Sequence, residues 1–139
     1  MTGNVAQAII RPEDWAATLS GVHAALRPGG HLVFETRDPS VRAWETWTRE
    51  HTYAAIEIEG VGRVESWEEL GPVDGPLVSF RSFTVYPDGS QLVSQSTLRF
   101  RTRDEVERDL ATHGYVVEEM RDAPDRPGRE FVFVARKAA

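Results

Sequence analysis

Glu35, Thr36 and Arg37 follow directly on the apolar run Leu32-Val33-Phe34, at the kind of strand end where open α/β sheets gather their ligands. A guanidinium at that place suits a carboxylate or phosphate, and a carboxylate suits an amine. The same two side chains equally suit a surface ion pair. Further along, Trp44, Trp47, Tyr53 and Trp67 offer flat apolar walls for a substrate pocket, although aromatic residues at such spacing also build cores. His51 follows this aromatic segment and is the best placed histidine for taking a proton. Histidines near helix ends also bond the terminal carbonyls, a role that fits His113 well. Substrate binding is expected of Glu35, Arg37, Trp44, Trp47, His51 and Tyr53.

Other chemistries are excluded by what the chain lacks. His23, His31, His51 and His113 show neither H-x-x-x-H nor H-E-x-x-H spacing, so no metal site is expected. There is no cysteine, which removes disulfides and thiolate ligands. Ser79, Ser82, Ser94 and Ser96 have no G-x-S-x-G elbow around them. A net charge of −6, with lysine only at position 137, speaks against a nucleic-acid footprint. No stretch reaches the apolar length of a membrane span, and no signal-peptide pattern opens the chain, so a cytoplasmic protein is expected.

The elements that must hold these side chains are legible from periodicity. Pro12, Glu13 and Asp14 suit a first helical turn, and Trp15, Leu19, Val22 and Leu26 form one apolar stripe behind them. Pro28 and Gly29-Gly30 end that helix. HLVFET reads as a buried strand of a parallel sheet. Asp38-Pro39 then starts a second helix with Val41, Trp44 and Thr48 on one face. From Tyr53 to Phe100 the pattern becomes three or four antiparallel strands, with Ile56 and Ile58 facing inward and Pro87-Asp88-Gly89 as a hairpin turn. Gly71-Pro72 and Gly75-Pro76 read as loop punctuation. Thr102 and Glu105 form the capping box of a last helix, with Val106 and Leu110 as its apolar face. Tyr115 to Met120 and Glu130 to Ala135 close the chain as an antiparallel pair around a polar, proline-rich loop.

At LRPGGHLVFE this order resembles the segment leading into the fifth strand of class I S-adenosylmethionine (SAM)-dependent methyltransferases. The opening GNVAQ, followed by a helix, looks like the loop after their fourth strand. HGYVVEEM and EFVFVARK are similar to their final antiparallel pair. The resemblance implies an α/β fold: a partial Rossmann-like methyltransferase sheet with an inserted antiparallel β segment. Residues 1–52 and 101–139 would form the C-terminal half of the methyltransferase-like domain. Residues 53–100 would be the insert, serving as a lid, a substrate-facing surface or a dimerisation surface.

The implied cofactor is SAM, and Gly3, Asn4 and Gln7 are the positions the resemblance places beside it. A frayed terminal tail is the alternative for these three. The family's glycine-rich loop, which lets backbone approach the ligand at a helix start, has no counterpart here. Gly60-Val61-Gly62 lies between strand-like segments and opens no helix. Weak or no SAM binding is therefore expected of the isolated chain. Its Leu32-Val33-Phe34 strand would lack its inner neighbour, and an exposed edge of this kind calls for a homodimer, strand exchange or a missing N-terminal half. The expected function is the C-terminal portion of a methyltransferase acting on a small molecule. The alternative is a non-catalytic dimerising or small-ligand-binding domain derived from that fold. A strand and glycine-rich loop encoded in frame upstream of Met1 would favour the first.

Overall fold

The computed structural model describes residues 1–139. They form two compact units, one of residues 1–41 with 98–139 and one of residues 42–97. Residues 42–52, grouped with the α/β half on sequence grounds, cluster with the strand-rich unit instead. No helix is long and apolar enough to cross a membrane.

In the first unit, α1 (Pro12–Ala25) carries Pro12 in its first turn and turns Trp15 and Leu19 into the core. Its chain leaves the helix at Leu26, and Gly29, at φ 75°, supplies the left-handed turn before the next strand. Strand β1 (His31–Arg37) pairs with β7 (Glu130–Lys137), and β7 pairs with β6 (Tyr115–Asp122). Both pairings are antiparallel, in the order β1-β7-β6. The antiparallel pairing of β1 corrects the expected parallel sheet, while its place at the sheet edge agrees with the expected lack of an inner neighbour; Leu32, Phe34 and Thr36 are buried and Val33 is 43% exposed. The strand alternates because the helical residues of this unit's core pack on one face of it only. That core joins Trp15 and Leu19 to Phe34, Phe133, Ala135, Val106, Leu110 and Tyr115. Trp15 meets Phe34 edge-on at 5.7 Å, and Phe34 stacks on Phe133 at 5.4 Å.

Helix α3 (Arg103–Thr112) starts as its sequence dictates, with the Thr102–Glu105 capping box fully formed. Thr102 Oγ1 accepts from Glu105 N at 3.2 Å and Glu105 Oε2 accepts from Thr102 N at 2.7 Å. Thr102→Ala is expected to cost about 1 kcal/mol, read as a lower urea midpoint with an unchanged m-value.

In the second unit, a continuous helix over the Trp44 segment does not form. Two 3₁₀ turns, Pro39–Val41 in the last residues of the first unit's opening segment and Ala43–Thr46, precede the single turn α2 (Arg49–Thr52), and Arg42 between them sits at φ 53°. A left-handed residue breaks the hydrogen-bond ladder that a helix needs. Four antiparallel strands follow: β2 (Ala54–Ile58), β3 (Gly62–Asp74), β4 (Leu77–Val85) and β5 (Gln91–Arg99). Pro87-Asp88-Gly89 makes the hairpin turn, with Asp88 Oδ1 accepting from Ser90 N at 2.8 Å. Gly75-Pro76 joins β3 to β4, but Gly71-Pro72 lies inside β3, where the register shifts between Leu70 and Val73. An irregularity of that kind is where a strand tolerates a proline. Ile56 and Ile58 are 59% and 40% exposed, not inward-facing, because nothing in their unit covers that face of β2. The buried residues here are Val64, Trp67 and Val78, with Trp67 stacked on Phe83 at 5.2 Å.

Candidate functional site

The candidate site is built at the end of β1 in the first unit. Gly3 and Asn4 take positive φ, 65° and 57°, and reverse the chain into the 3₁₀ turn Val5–Ala8. Glycine reaches that geometry freely, and asparagine is among the few other residues that do. The reversal lays residues 1–8 against β1. The Met1 ammonium donates to Val33 O at 2.7 Å and Gly3 N donates to Glu35 Oε1 at 2.6 Å. A frayed tail is excluded: Asn4, Ala6 and Gln7 are 4%, 2% and 0% exposed.

Several of the site residues expected from sequence are bonded to one another. Gln7 Oε1 accepts from Arg37 N at 3.3 Å and from the Arg37 guanidinium at 3.0 Å. Asn4 Nδ2 donates to Glu130 Oε1 at 2.9 Å, and Arg126 pairs with the same oxygen at 3.1 Å. Arg126 also lies 3.9 Å from Glu35. Two carboxylates and two guanidiniums thus surround a loop of amides. Glu35 and Arg37 hold the loop, a role beside the ligand clamp expected of them.

Glu130 and Arg126 were not singled out from sequence. The signal lay in register: Glu130 is the β7 partner of Arg37, which puts its carboxylate at the same sheet end as Glu35. Only strand pairing reveals that, since 93 residues separate positions 37 and 130. The cluster is also incompletely satisfied. Asn4 Oδ1, Gln7 Nε2, Arg126 Nε and Glu130 Oε2 are buried with no hydrogen-bond partner in the protein. Native proteins leave few such atoms, and these two acceptors and two donors are open to further polar contact.

Trp44, Trp47, His51 and Tyr53 belong to the second unit. Trp44 lies beneath the Arg42 guanidinium at 5.7 Å, and Trp47 meets Phe80 edge-on at 4.9 Å. His51 is exposed, with Nδ1 2.8 Å from the hydroxyl of Thr48, which caps α2. Tyr53 donates its hydroxyl to Glu65 and stacks on Trp67 at 6.4 Å. Arg49 covers Trp67 at 4.1 Å. Tyr53, Trp67 and Phe83 form one stack, and Trp47 packs separately on Phe80. His113 takes the helix-end role, with Nδ1 2.7 Å from Asp109 O.

No protein-family model matches the chain, and no curated protein does. Solved structures match over nearly all of it. A SAM-dependent methyltransferase from Clostridium acetobutylicum superposes with a TM-score of 0.73 at 14% identity, covering 99% of this chain and 56% of that one. The CcbJ methyltransferase from Streptomyces caelestis gives 0.71 at 18%, covering 99% and 55%. SAM-bound CalS10 from Micromonospora echinaspora, an amino pentose methyltransferase, gives 0.69 at 18%, covering 99% and 57%. The likeness shows the fold, and the chain spans about half the length of these structures. That span agrees with the C-terminal half that LRPGGHLVFE and the terminal strand pair imply.

Proposed function

We propose that this chain is the C-terminal portion of a SAM-dependent methyltransferase that transfers a methyl group to a small molecule. The observation that carries the reading is the Gly3–Ala8 loop, folded onto the end of β1 with unpartnered amide and carboxylate atoms. Its fold is that of enzymes whose cofactor is SAM. Asn4 and Gln7 bring carbonyl and amide groups, which orient a ligand without exchanging protons with it. Glu35, Arg37 and Glu130 fix those amides in place, so the loop is pre-organised. For the acceptor, the aromatic and histidine side chains of Trp44, Trp47, His51 and Tyr53 are proposed as contributors from the strand-rich unit.

The residues present do not fit SAM by themselves. Binding a nucleoside in this type of fold takes a strand, a glycine turn and a helix start in succession. Of the glycines with positive φ, Gly29 and Gly114 lead from helices into strands, Gly60, Gly75, Gly89 and Gly128 lie in strand-to-strand connections, and Gly62 begins β3. Gly3 alone precedes a helical turn, and that turn is only four residues of 3₁₀. One wall of a cofactor site is present and a cradle is not. Completion by an N-terminal half, or by a second copy in a homodimer, is proposed to supply it, in the cytoplasm.

Titrating SAM into the purified chain and into a form completed by a strand–glycine-loop–helix half tests this. The chain alone is expected to bind no tighter than about 1 mM, and the completed form at least about 100-fold tighter, a gain of some 2.7 kcal/mol. Tight binding by one unaided copy would refute the incomplete-site account. A completed form that binds SAM but methylates nothing would favour the non-catalytic, ligand-binding reading.

A further inference from the structure

A cavity of about 190 Å³ lies in the first unit between the start of α1, the end of β5 and α3. Pro12, Trp15 and Ala16 form one side of it, and Arg99, Arg101 and Arg108 contribute three guanidinium groups. Glu105, Asp109 and His113 complete the wall. Both carboxylates are already engaged: Glu105 accepts from Thr102 N in the capping box, and Asp109 Oδ2 accepts from Trp15 Nε1 at 3.0 Å. His113 is turned to the Asp109 carbonyl.

None of the three arginines has a carboxylate within ion-pair distance, in a chain where Asp and Glu outnumber Lys and Arg by 22 to 16. Arg101 is only 5% exposed. It donates to Ala6 O at 3.1 Å and Ile9 O at 2.6 Å and lies 4.5 Å over the Trp15 ring. Burial, and then the neighbouring charge of Arg99, brings its pKa down to about 10 against the opposing pull of Asp109 and Glu105. Arg99 donates to Ile10 O at 3.3 Å, and Arg108 makes no side-chain bond. Carbonyl dipoles and a ring face are the direct contacts of Arg101, and the Asp109 and Glu105 charges reach it only from beyond ion-pair distance, so this buried cation is under-compensated.

We propose that this groove binds a phosphate group, as the free ion or on a small molecule. The three guanidiniums come from different elements, so a tetrahedral dianion can engage more than one of them. A planar, singly charged carboxylate matches a single guanidinium fork. Arg101 ties the groove to the Asn4–Gln7 loop, since the carbonyls it holds belong to residues at the end of that loop.

The test is a titration of inorganic phosphate into the full chain at pH 8 and constant ionic strength, followed by the Trp15 indole N–H resonance. A saturable shift is expected with phosphate, at least fivefold weaker with acetate and absent with chloride. Arg99→Gln and Arg108→Gln are each expected to weaken phosphate binding at least fivefold. Arg63→Gln, in the strand-rich unit, is expected to leave it unchanged. Equal responses to phosphate and chloride, acetate binding as well as phosphate, or wild-type affinity in both groove variants would overturn the proposal. A phenyl phosphate arm separates the sources: tighter binding than the free ion assigns a phosphorylated small molecule, and equal binding assigns the ion.

Discussion

Phe133→Ala is expected to lower the unfolding free energy by about 3–5 kcal/mol, the range for deleting a fully buried aromatic side chain. Phe133 is 0% exposed and lies on β7, the middle strand of its sheet. It stacks on Phe34 from β1 at 5.4 Å and meets Phe131 edge-on at 6.1 Å. Both neighbouring strands flank this residue, in register with Phe34 on one side and Met120 on the other. Removing the ring opens a cavity that no single side chain can collapse into. Urea unfolding followed by tryptophan fluorescence measures the loss as a lower midpoint at constant slope. Phe131→Ala, at a partly buried position, is expected to cost less than half as much. A Phe133→Ala loss below about 1 kcal/mol would contradict the central placement of β7.

Gln7→Leu is expected to cost about 2–3 kcal/mol, although leucine nearly matches glutamine in volume. Gln7 is 0% exposed, and its carbonyl is the acceptor that the Arg37 amide and guanidinium share. Leucine removes that acceptor from a fully buried position. Gln7→Glu keeps an acceptor and adds a charge opposite Arg37, so it should be milder than Gln7→Leu despite the desolvation of a carboxylate. The order of the two variants in urea distinguishes a hydrogen-bonding role from simple space filling, for which leucine would be the better tolerated. In a completed enzyme, Gln7→Leu should also loosen SAM binding by about tenfold, because the loop loses its anchor on β1.

The elements that read clearly were those whose signals are local. The stripe Trp15, Leu19 and Val22, the Thr102–Glu105 box and the Pro87-Asp88-Gly89 turn each depend on neighbours within a few residues and formed as their residues dictate, with Leu26 falling just past the end of the helix. The Trp44 segment misled because Arg42 adopts φ 53°, a conformation that composition does not announce for arginine. Ile56 and Ile58 misled because alternation shows two faces of a strand but not which of them is covered. Gly71-Pro72 read as a loop because a bulge inside a long strand uses the same residues as a turn.

Gly3, Asn4 and Gln7 came from the family resemblance, and Glu35 and Arg37 from their position after an apolar strand. That these two sets bond to each other was not legible, because β1 meets the N-terminal loop across 32 residues in the Gly3–Glu35 contact. Glu130 and Arg126 enter from farther still, through pairing of the last strand with the first.

By itself, then, the sequence determined the types and order of most elements, the apolar residues of the core, and the lack of a glycine-rich nucleotide loop. These follow from backbone preference and short-range periodicity, which act along the chain. Tertiary structure decided which way β1 pairs, which face of each sheet is covered, and how Asn4, Gln7 and Glu130 came to be buried together. Those outcomes depend on contacts between distant residues, where burial and strand register select among arrangements that local preference leaves equal.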